Sequence, residues 1–135
     1  MSETKVGIGV LIKKNNKVLL GKRIHGTTEN AWCFPGGHLE FFESVIDGAQ
    51  REVLEETGLS VSDLNLVAYT DDLYKNTNQH FVTIVLTTTT FDGEPQLKEP
   101  DKFEEWNWFS WDDLPTPLAE PMKQLLLNKF NPFLE

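Results

Sequence analysis

Three glutamates crowd together in the segment REVLEETG, which runs from Arg51 to Gly58. If the segment is helical, Glu52 and Glu56 lie one turn apart on the same face and Glu55 lies beside them. Like charges at this spacing repel, and the chain already carries a formal net charge of −9. Carboxylate oxygens are the ligands that Mg²⁺ and Mn²⁺ prefer, and such ions can clamp a diphosphate and activate water. The cluster therefore predicts a metal site for a phosphorylated small molecule.

The alternative for these acids is a helix face that only contacts water, which is the usual explanation of a charge run. Several features favour a site instead. Glycines precede the helix, so backbone carbonyls can join the acids. Arg51 stands four residues before Glu55 and can pair with it. Glu43, at the helix entrance, can add another carboxylate, and Gly58 is suited to end the acidic turn.

The helix that carries these acids is predicted from Glu43 to Thr57. Ser44 is suited to cap its first turn, and Val45, Ala49 and Val53 form an apolar stripe at a spacing of four. Gly48 inside the helix costs about 1 kcal/mol relative to alanine. Close packing of the helix against a sheet would account for this glycine.

The rest of the chain alternates between strand and turn signals. β-Branched and apolar runs predict strands over residues 5–14, 17–23, 31–34, 64–74, 80–91 and 103–109, and a second helix is predicted over 117–130. Strands, helix, strands and helix in this order indicate a mixed sheet with helices on both faces. A length of 135 residues favours one domain that spans 1–135.

Composition narrows the class of protein. Hydrophobic residues make up 39% and charged residues 24%, as in ordinary soluble proteins. No apolar run is long enough to span a bilayer, and the first ten residues do not resemble a secretion signal. The acidic balance argues against a nucleic-acid surface. Cys33 is the single cysteine, so we expect a reduced, cytoplasmic protein in which Cys33 is a small buried side chain rather than a nucleophile.

The segment from Gly37 to Leu59 resembles the Nudix box, G-x5-E-x7-R-E-U-x-E-E-x-G-U, in which U is aliphatic. Every defined position matches: Gly37, Glu43, Arg51, Glu52, Val53, Glu55, Glu56, Gly58 and Leu59. Outside the box, the stretches VLLGKR, FPGGHLEF, HFVTI, EEWNWFSWDDLP and NPF resemble the nucleoside triphosphate diphosphatases related to MutT. The chain is thus identified by resemblance as a member of the Nudix hydrolases.

This resemblance implies a fold and an activity. The fold would be α/β (α+β), an α-β-α sandwich with a mixed, mostly antiparallel sheet between helices. The activity would be hydrolysis of (deoxy)nucleoside triphosphates to monophosphates and pyrophosphate, with Mg²⁺ as cofactor and Mn²⁺ as its alternative. Other diphosphates remain open as substrates, namely ADP-ribose, a nucleotide sugar or dihydroneopterin triphosphate. A nucleotide-sensing domain without activity is less favoured, because such domains often lose box acids and this chain has them all.

The resemblance also implies roles for the box residues. Glu52 and Glu56 would be metal ligands, with the carbonyl of Gly36 nearby. Glu55 would be a ligand or the group that positions and deprotonates water. Arg51 would orient Glu55, and Glu43 would be structural or an outer-shell base. A homodimer is implied as well, and exposed aromatics such as Phe41 and Phe42 could form part of its interface.

Further candidates lie outside the box. By resemblance His38 contacts the nucleotide and Thr83 points into the pocket, although a strand threonine needs no such role. Arg23 is a better phosphate ligand than Lys22 because its guanidinium binds bidentately, while a charged strand end is the alternative for both. Leu118 and Met122 would form an apolar wall for the base. Three further groups are secondary candidates. Glu104 and Glu105 are either metal ligands or a polar strand face, and the tryptophans 106, 108 and 111 are core, dimer or base contacts. Cys33 and residues 119–121 are pocket positions at which this chain differs from the MutT-related subgroup.

Overall fold

The computed structural model of this chain describes residues 2–25 and 30–134, which form nine strands and two helices. In chain order these elements are β1 (Thr4–Lys14), β2 (Lys17–Arg23), β3 (Trp32–Cys33), β4 (Gly36–His38), α1 (Val45–Thr57), β5 (Ser60–Ser62), β6 (Asn65–Tyr74), β7 (Gln79–Thr88), β8 (Thr90–Asp92), β9 (Phe103–Ser110) and α2 (Glu120–Leu127).

The main sheet has β1 at its centre. The strands follow the order β3-β2-β1-β7-β6, with β9 added to β2 and β4 added to β1. β1 and β7 are parallel, and the other pairs are antiparallel. β1 pairs with β4 at residues 7–9 and with β2 only at residues 13–14. The short strand β4 thereby brings the start of the box against the central strand.

Side chains on the two faces of the sheet belong to two different cores. On β1, Val10 and Ile12 pack with the residues of α1, whereas Leu11 packs with the residues of α2. This alternation is what a strand with both faces buried requires. The sheet therefore lies between the two helices, and the predicted mixed α-β-α sandwich is confirmed.

Helix α1 has the predicted stripe and caps. Ala49 and Val53 are buried against the sheet, and Ser44 Oγ accepts a hydrogen bond from the N–H of Asp47. Gly58 ends the helix in the left-handed conformation, with φ of 76°. A Cβ at Gly48 would lie 2.6 Å from Ile8 Cδ1. Close packing on β1 therefore explains the glycine inside this helix.

The structure differs from the sequence prediction in three places. The strand predicted over 80–91 is divided at Thr89, and its last part, β8, pairs with β5, which was not predicted. Gly36 to His38 form strand β4 where only a turn was expected, because β1 supplies a distant pairing partner. The second helix covers Glu120–Leu127 rather than 117–130. Neither helix is both long and apolar enough to cross a membrane, as far as the described residues show.

Candidate active site

A cavity of about 670 Å³ opens beside α1. The acids of α1, the backbone of β4 and side chains of β6 and β7 all line it. Glu52, Glu55 and Glu56 all contribute to the wall. These three box acids therefore line one concave surface, with Glu55 the most exposed of them.

Arg51 is the centre of the hydrogen-bond network at the acidic end. Its Nε and Nη2 donate to the two carboxylate oxygens of Glu43 at 2.6 and 3.0 Å, and Nη1 donates to Glu52 Oε1 at 2.9 Å. Its contacts with Glu55 are longer, at 3.4 Å. Arg51 was expected to orient Glu55, and the two side chains are in contact. The arginine binds Glu43 and Glu52 more closely, because Glu43 at the helix entrance presents both oxygens to its fork.

The charges of this network shift the pKa values of its members. The hydrogen bond from Arg51, followed by the backbone N–H of Glu40, holds the pKa of Glu43 below its ordinary value. The same ion pair, led by Glu43, raises the pKa of Arg51 further. Burial raises the pKa of Glu52 although Arg51 opposes the shift. Glu43 and Arg51 therefore form a charged pair at neutral pH.

Glu56 is the most buried acid of the cluster. Its side chain accepts the backbone N–H of Gly36 at 2.9 Å, and the residue is only 5% exposed. Burial raises the pKa of this carboxyl group to about 8, against the opposing hydrogen bond from Gly36. A buried carboxylate is stabilised when a cation lies beside it. The environment of Glu56 therefore favours a bound cation.

The acids fit Mg²⁺ in their chemistry. They offer hard oxygen donors within one helical turn, beside the glycine backbone of β4. Gly37 makes room for Glu52, since a Cβ at this position would lie 2.5 Å from the Glu52 carboxylate. Among residues 2–25 and 30–134, however, no group of three histidine, cysteine or acidic side chains already stands at ligand spacing. Glu52 and Glu55 would have to turn from Arg51 towards an ion.

Aromatic and polar side chains of β6 and β7 also line the cavity. The imidazole of His38 stacks on Phe81, with ring centroids 5.2 Å apart, and Tyr74 meets Phe81 edge-on at 6.1 Å. Thr83 lines the cavity as expected, and its hydroxyl donates to Asp72 Oδ2 at 2.5 Å. His38 and Thr83 are thus placed at the same cavity as the acids.

Outside the hydrogen-bond network of the acidic end, two cationic side chains, Arg23 and Lys102, line the cavity, and the neighbouring Lys22 does not. Arg23 lines the cavity, and its guanidinium lies 5.3 Å from the ring centre of Phe103. Lys102 lines it as well. Lys22 instead forms an ion pair with Glu104 at 2.9 Å, which raises the pKa of this lysine, and neither Glu104 nor Glu105 lines the cavity. Arg23 and Lys102 are therefore the candidates for phosphate contact.

The apolar wall predicted for the base is corrected. Met122 is fully buried in the core beneath α2, and Leu118 packs on that core next to Trp32, so neither lines the cavity. Met122 points inward because α2 covers the sheet with this face, and Leu118 lies in the segment before α2. Ala119, Pro121 and Cys33 line the cavity in their place. The tryptophans 106, 108 and 111 pack against the two cores and do not line it.

Sequence reasoning missed several lining residues, among them Asp72, Tyr74 and Phe81 on the sheet. One signal was available for Asp72. Aspartate is depleted in strands, and yet Asp71 and Asp72 stand in the middle of a predicted strand. This pair of aspartates could have indicated that one of them is buried, and Asp72 is indeed only 1% exposed.

The fold and this acid-lined cavity define a hydrolase of phosphoric anhydride bonds. The chain belongs to the NUDIX domain family, which it matches over residues 3–128. It is 32% identical to an ADP-ribose pyrophosphatase of Methanocaldococcus jannaschii over 82% of this chain and 64% of that protein. It is 30% identical to the oxidized purine nucleoside triphosphate hydrolase of Mus musculus over 85% of this chain and 72% of that protein.

A solved structure agrees with the family assignment. The MutT NUDIX hydrolase from Burkholderia pseudomallei superposes with a TM-score of 0.87 at 32% identity, over 92% of this chain and 99% of that one. The relatives that this chain resembles are named for different substrates. The part of the substrate beyond the diphosphate must be inferred from the rest of the cavity.

Proposed function

We propose that this protein is a Mg²⁺-dependent (deoxy)nucleoside triphosphate diphosphatase, in which Mn²⁺ can replace Mg²⁺. Water and a (d)NTP would give the (d)NMP and pyrophosphate. The observation that carries the proposal is the meeting of Glu52, Glu55 and Glu56 with the glycine strand β4 on the wall of one cavity. The proposal treats residues 1–135 as one catalytic domain.

The acidic end would hold the diphosphate through metal. Glu52, Glu55 and Glu56, with the Gly36 backbone, are the proposed ligands, and the ion would supply charge neutralisation and a more acidic water. Glu55 is the most exposed of these acids in the network, with its side chain 49% exposed. It is therefore free to accept a proton from the attacking water. Arg51 holds Glu43 and Glu52 in position.

The other end would hold the nucleoside. Arg23 and Lys102 supply positive charge for phosphate oxygens, and Arg23 can bind them bidentately. His38 and Phe81 present stacked ring surfaces to the same cavity, which suits contact with a nucleobase. Thr83 adds a polar group to the same cavity. The similarity to the purine nucleoside triphosphate hydrolase of mouse supports this reading.

ADP-ribose is the second candidate substrate. The identity with the archaeal ADP-ribose pyrophosphatase favours it, although this chain spans only 64% of that protein. The box acts on the diphosphate in either case, so the acidic end does not distinguish the two substrates. Nucleotide sugars and dihydroneopterin triphosphate are further candidate substrates that the acidic end does not distinguish. The remaining alternative is a nucleotide-sensing domain without turnover.

A substrate panel tests the proposal. The purified protein would be assayed with Mg²⁺ against nucleoside triphosphates, ADP-ribose, a nucleotide sugar and dihydroneopterin triphosphate, and kcat/KM would be ranked. Glu56→Gln keeps the oxygen that accepts the Gly36 N–H but removes the charge, and should lose at least about a hundredfold in activity. Glu94→Gln, at an exposed loop position, is the matched control. Equal turnover in wild type and Glu56→Gln would reject the proposal, as would tight nucleotide binding without turnover.

Location and assembly complete the proposal. The single cysteine suits a reducing cytoplasm. The net charge of −9 argues against nucleic acid as a partner. A homodimer is proposed, with Phe41 and Phe42 in its interface, since both rings are strongly exposed on one chain.

A further inference from the structure

Asp72 is a buried acid that the proposed chemistry does not use. It lies on β6, is 1% exposed, and lines the cavity that the acids of α1 also line. Strand register places it opposite Phe81, while Thr70 stands opposite Thr83. These four side chains share one face of the sheet because directly paired residues point the same way.

The two oxygens of Asp72 have different surroundings. Oδ2 accepts the hydroxyls of Thr83 and Thr70 at 2.5 and 3.2 Å. Oδ1 is buried and has no hydrogen-bond partner among the residues that the structure describes. A buried oxygen without a hydrogen-bond donor destabilises the structure. Because Asp72 lines the cavity, a bound ligand is the candidate to supply the missing donor.

The surroundings hold the Asp72 side chain in one orientation. Two threonine hydroxyls fix Oδ2, so Oδ1 is the oxygen available to a ligand. Gly7 lies opposite Thr83 on β1 and has no side chain to fill the adjoining space. Burial raises the pKa of Asp72, and the two threonine hydrogen bonds oppose the shift. With both hydroxyls donating to one oxygen, the carboxylate form is the one that the contacts support.

We infer that Asp72 determines base specificity by accepting a hydrogen bond, at Oδ1, from an exocyclic amino group of the nucleobase. This inference rests on the proposed function and names the part of the substrate that the box leaves open. Adenine, cytosine and guanine carry such an amino group. In uracil and thymine the ring N–H lies between two carbonyl oxygens, one of which would be brought close to the carboxylate and repelled by it. The cavity therefore selects amino-bearing bases, whether in a triphosphate or in ADP-ribose.

The test compares nucleotides that differ only in the amino group. ATP is paired with purine riboside triphosphate, CTP with 2-pyrimidinone riboside triphosphate, and GTP with ITP, and kcat/KM is measured for each with Mg²⁺. In the wild type, the amino-bearing member of at least one pair should be preferred by roughly tenfold or more, because its analogue leaves Oδ1 unpaired. Ratios below about twofold in all three pairs would overturn the inference, whatever happens to any variant.

Asp72→Asn provides the second arm. Its amide oxygen can keep both threonine hydrogen bonds, which directs the NH₂ group to the place of Oδ1 and changes an acceptor into a donor. The preference for the amino-bearing nucleotide should fall towards one. Asp71→Asn is the matched control, since this neighbouring side chain is exposed on the opposite face, and the preference should stay as in wild type. A preference that survives in Asp72→Asn would assign the discrimination to another residue.

Binding of the products separates this inference from the proposed activity. The affinities of AMP, CMP and GMP, and of the monophosphates of their three amino-free analogues, are measured by calorimetry on the wild type. No hydrolysis of any triphosphate, together with tighter binding of the amino-bearing monophosphates, would reject the activity and retain the role of Asp72. Hydrolysis of triphosphates with equal binding within each pair would retain the activity and reject the role of Asp72.

Discussion

Arg51 holds Glu43 through two hydrogen bonds, Nε to Oε2 at 2.6 Å and Nη2 to Oε1 at 3.0 Å. Nη2 of the same guanidinium also donates to the backbone carbonyl of His38 at 3.1 Å. One arginine thus connects helix α1, the loop before it and the end of β4. These are the elements that must keep a fixed separation if acids on α1 and backbone on β4 are to act on one ligand.

Replacement of Arg51 by lysine should therefore reduce turnover. A lysine keeps one positive charge but cannot make the paired contacts with Glu43 while reaching Glu52 and His38. We expect kcat to fall by about tenfold or more with a smaller change in KM. Arg23→Lys is the matched comparison, because Arg23 is the other arginine of the chain and lines the cavity without touching this network. It should mainly raise KM, and the same kinetic pattern in both variants would contradict the distinction.

Gly37→Ala should damage the site more than the fold. The added Cβ would lie 2.5 Å from the carboxylate of Glu52, which would have to move. The expected result is a loss of at least about tenfold in kcat/KM, with a steeper dependence on Mg²⁺ concentration and little change in melting temperature. Ser60→Ala, at an exposed position of β5, is the control. Unchanged kinetics in Gly37→Ala would mean that the position of Glu52 is not important.

Much of this architecture is predictable because it depends on local patterns. The cap at Ser44, the stripe of Val45, Ala49 and Val53, and the C-terminal Gly58 define α1 from neighbouring residues alone. β4 and β5 escaped prediction because each has only three residues and depends on a partner that is distant in sequence. Short strands of this kind are stabilised by pairing rather than by propensity.

The site was predictable to the extent that one helix carries it. Glu52, Glu55 and Glu56 meet because helical spacing places them together. The i,i+4 spacing indicated the contact of Arg51 with Glu55. The closer contact with Glu43 was not predicted, because it depends on the loop before α1. Met122 was assigned to the cavity because an apolar residue near the chain end does not reveal which face of α2 is buried. Asp72 required the register between β6 and β7.

Mg²⁺ should stabilise the protein through the clustered acids. A ligand that binds only the folded state adds about 2.7 kcal/mol when its concentration is a hundred times its dissociation constant. We therefore expect the melting temperature to rise with Mg²⁺ in wild type and Glu94→Gln, and to stay nearly constant in the double variant Glu52→Gln/Glu56→Gln. The measurement is a thermal melt at fixed ionic strength, with Na⁺ replacing Mg²⁺ in the reference. An equal rise in the double variant would place the ion elsewhere.

Cys33 should react slowly with alkylating reagents. Burial raises the pKa of its thiol to about 12, and the residue is only 7% exposed. Because the thiolate is the reactive form, iodoacetamide at pH 8 should label native protein slower than a free cysteine by two or more orders of magnitude. The labelling is followed by mass spectrometry, with urea-unfolded protein as the reference for an accessible thiol. Comparable rates in the folded and unfolded protein would be inconsistent with a buried, neutral Cys33.

Phe41 and Phe42 should control self-association. They are 88% and 95% exposed on one chain, and their ring centroids lie 4.2 Å apart, so they form a single apolar projection beside α1. Phe42 has a φ of 65°, a conformation that asparagine tolerates better than most residues. We therefore expect Phe41→Ser/Phe42→Asn to convert a dimer into a monomer, as measured by sedimentation at several concentrations, with the melting temperature of the monomer retained. Leu127→Ala, a change at another strongly exposed apolar residue, on α2, should leave the dimer intact. A wild type that sediments as a monomer at every concentration would show that this projection does not pair two chains.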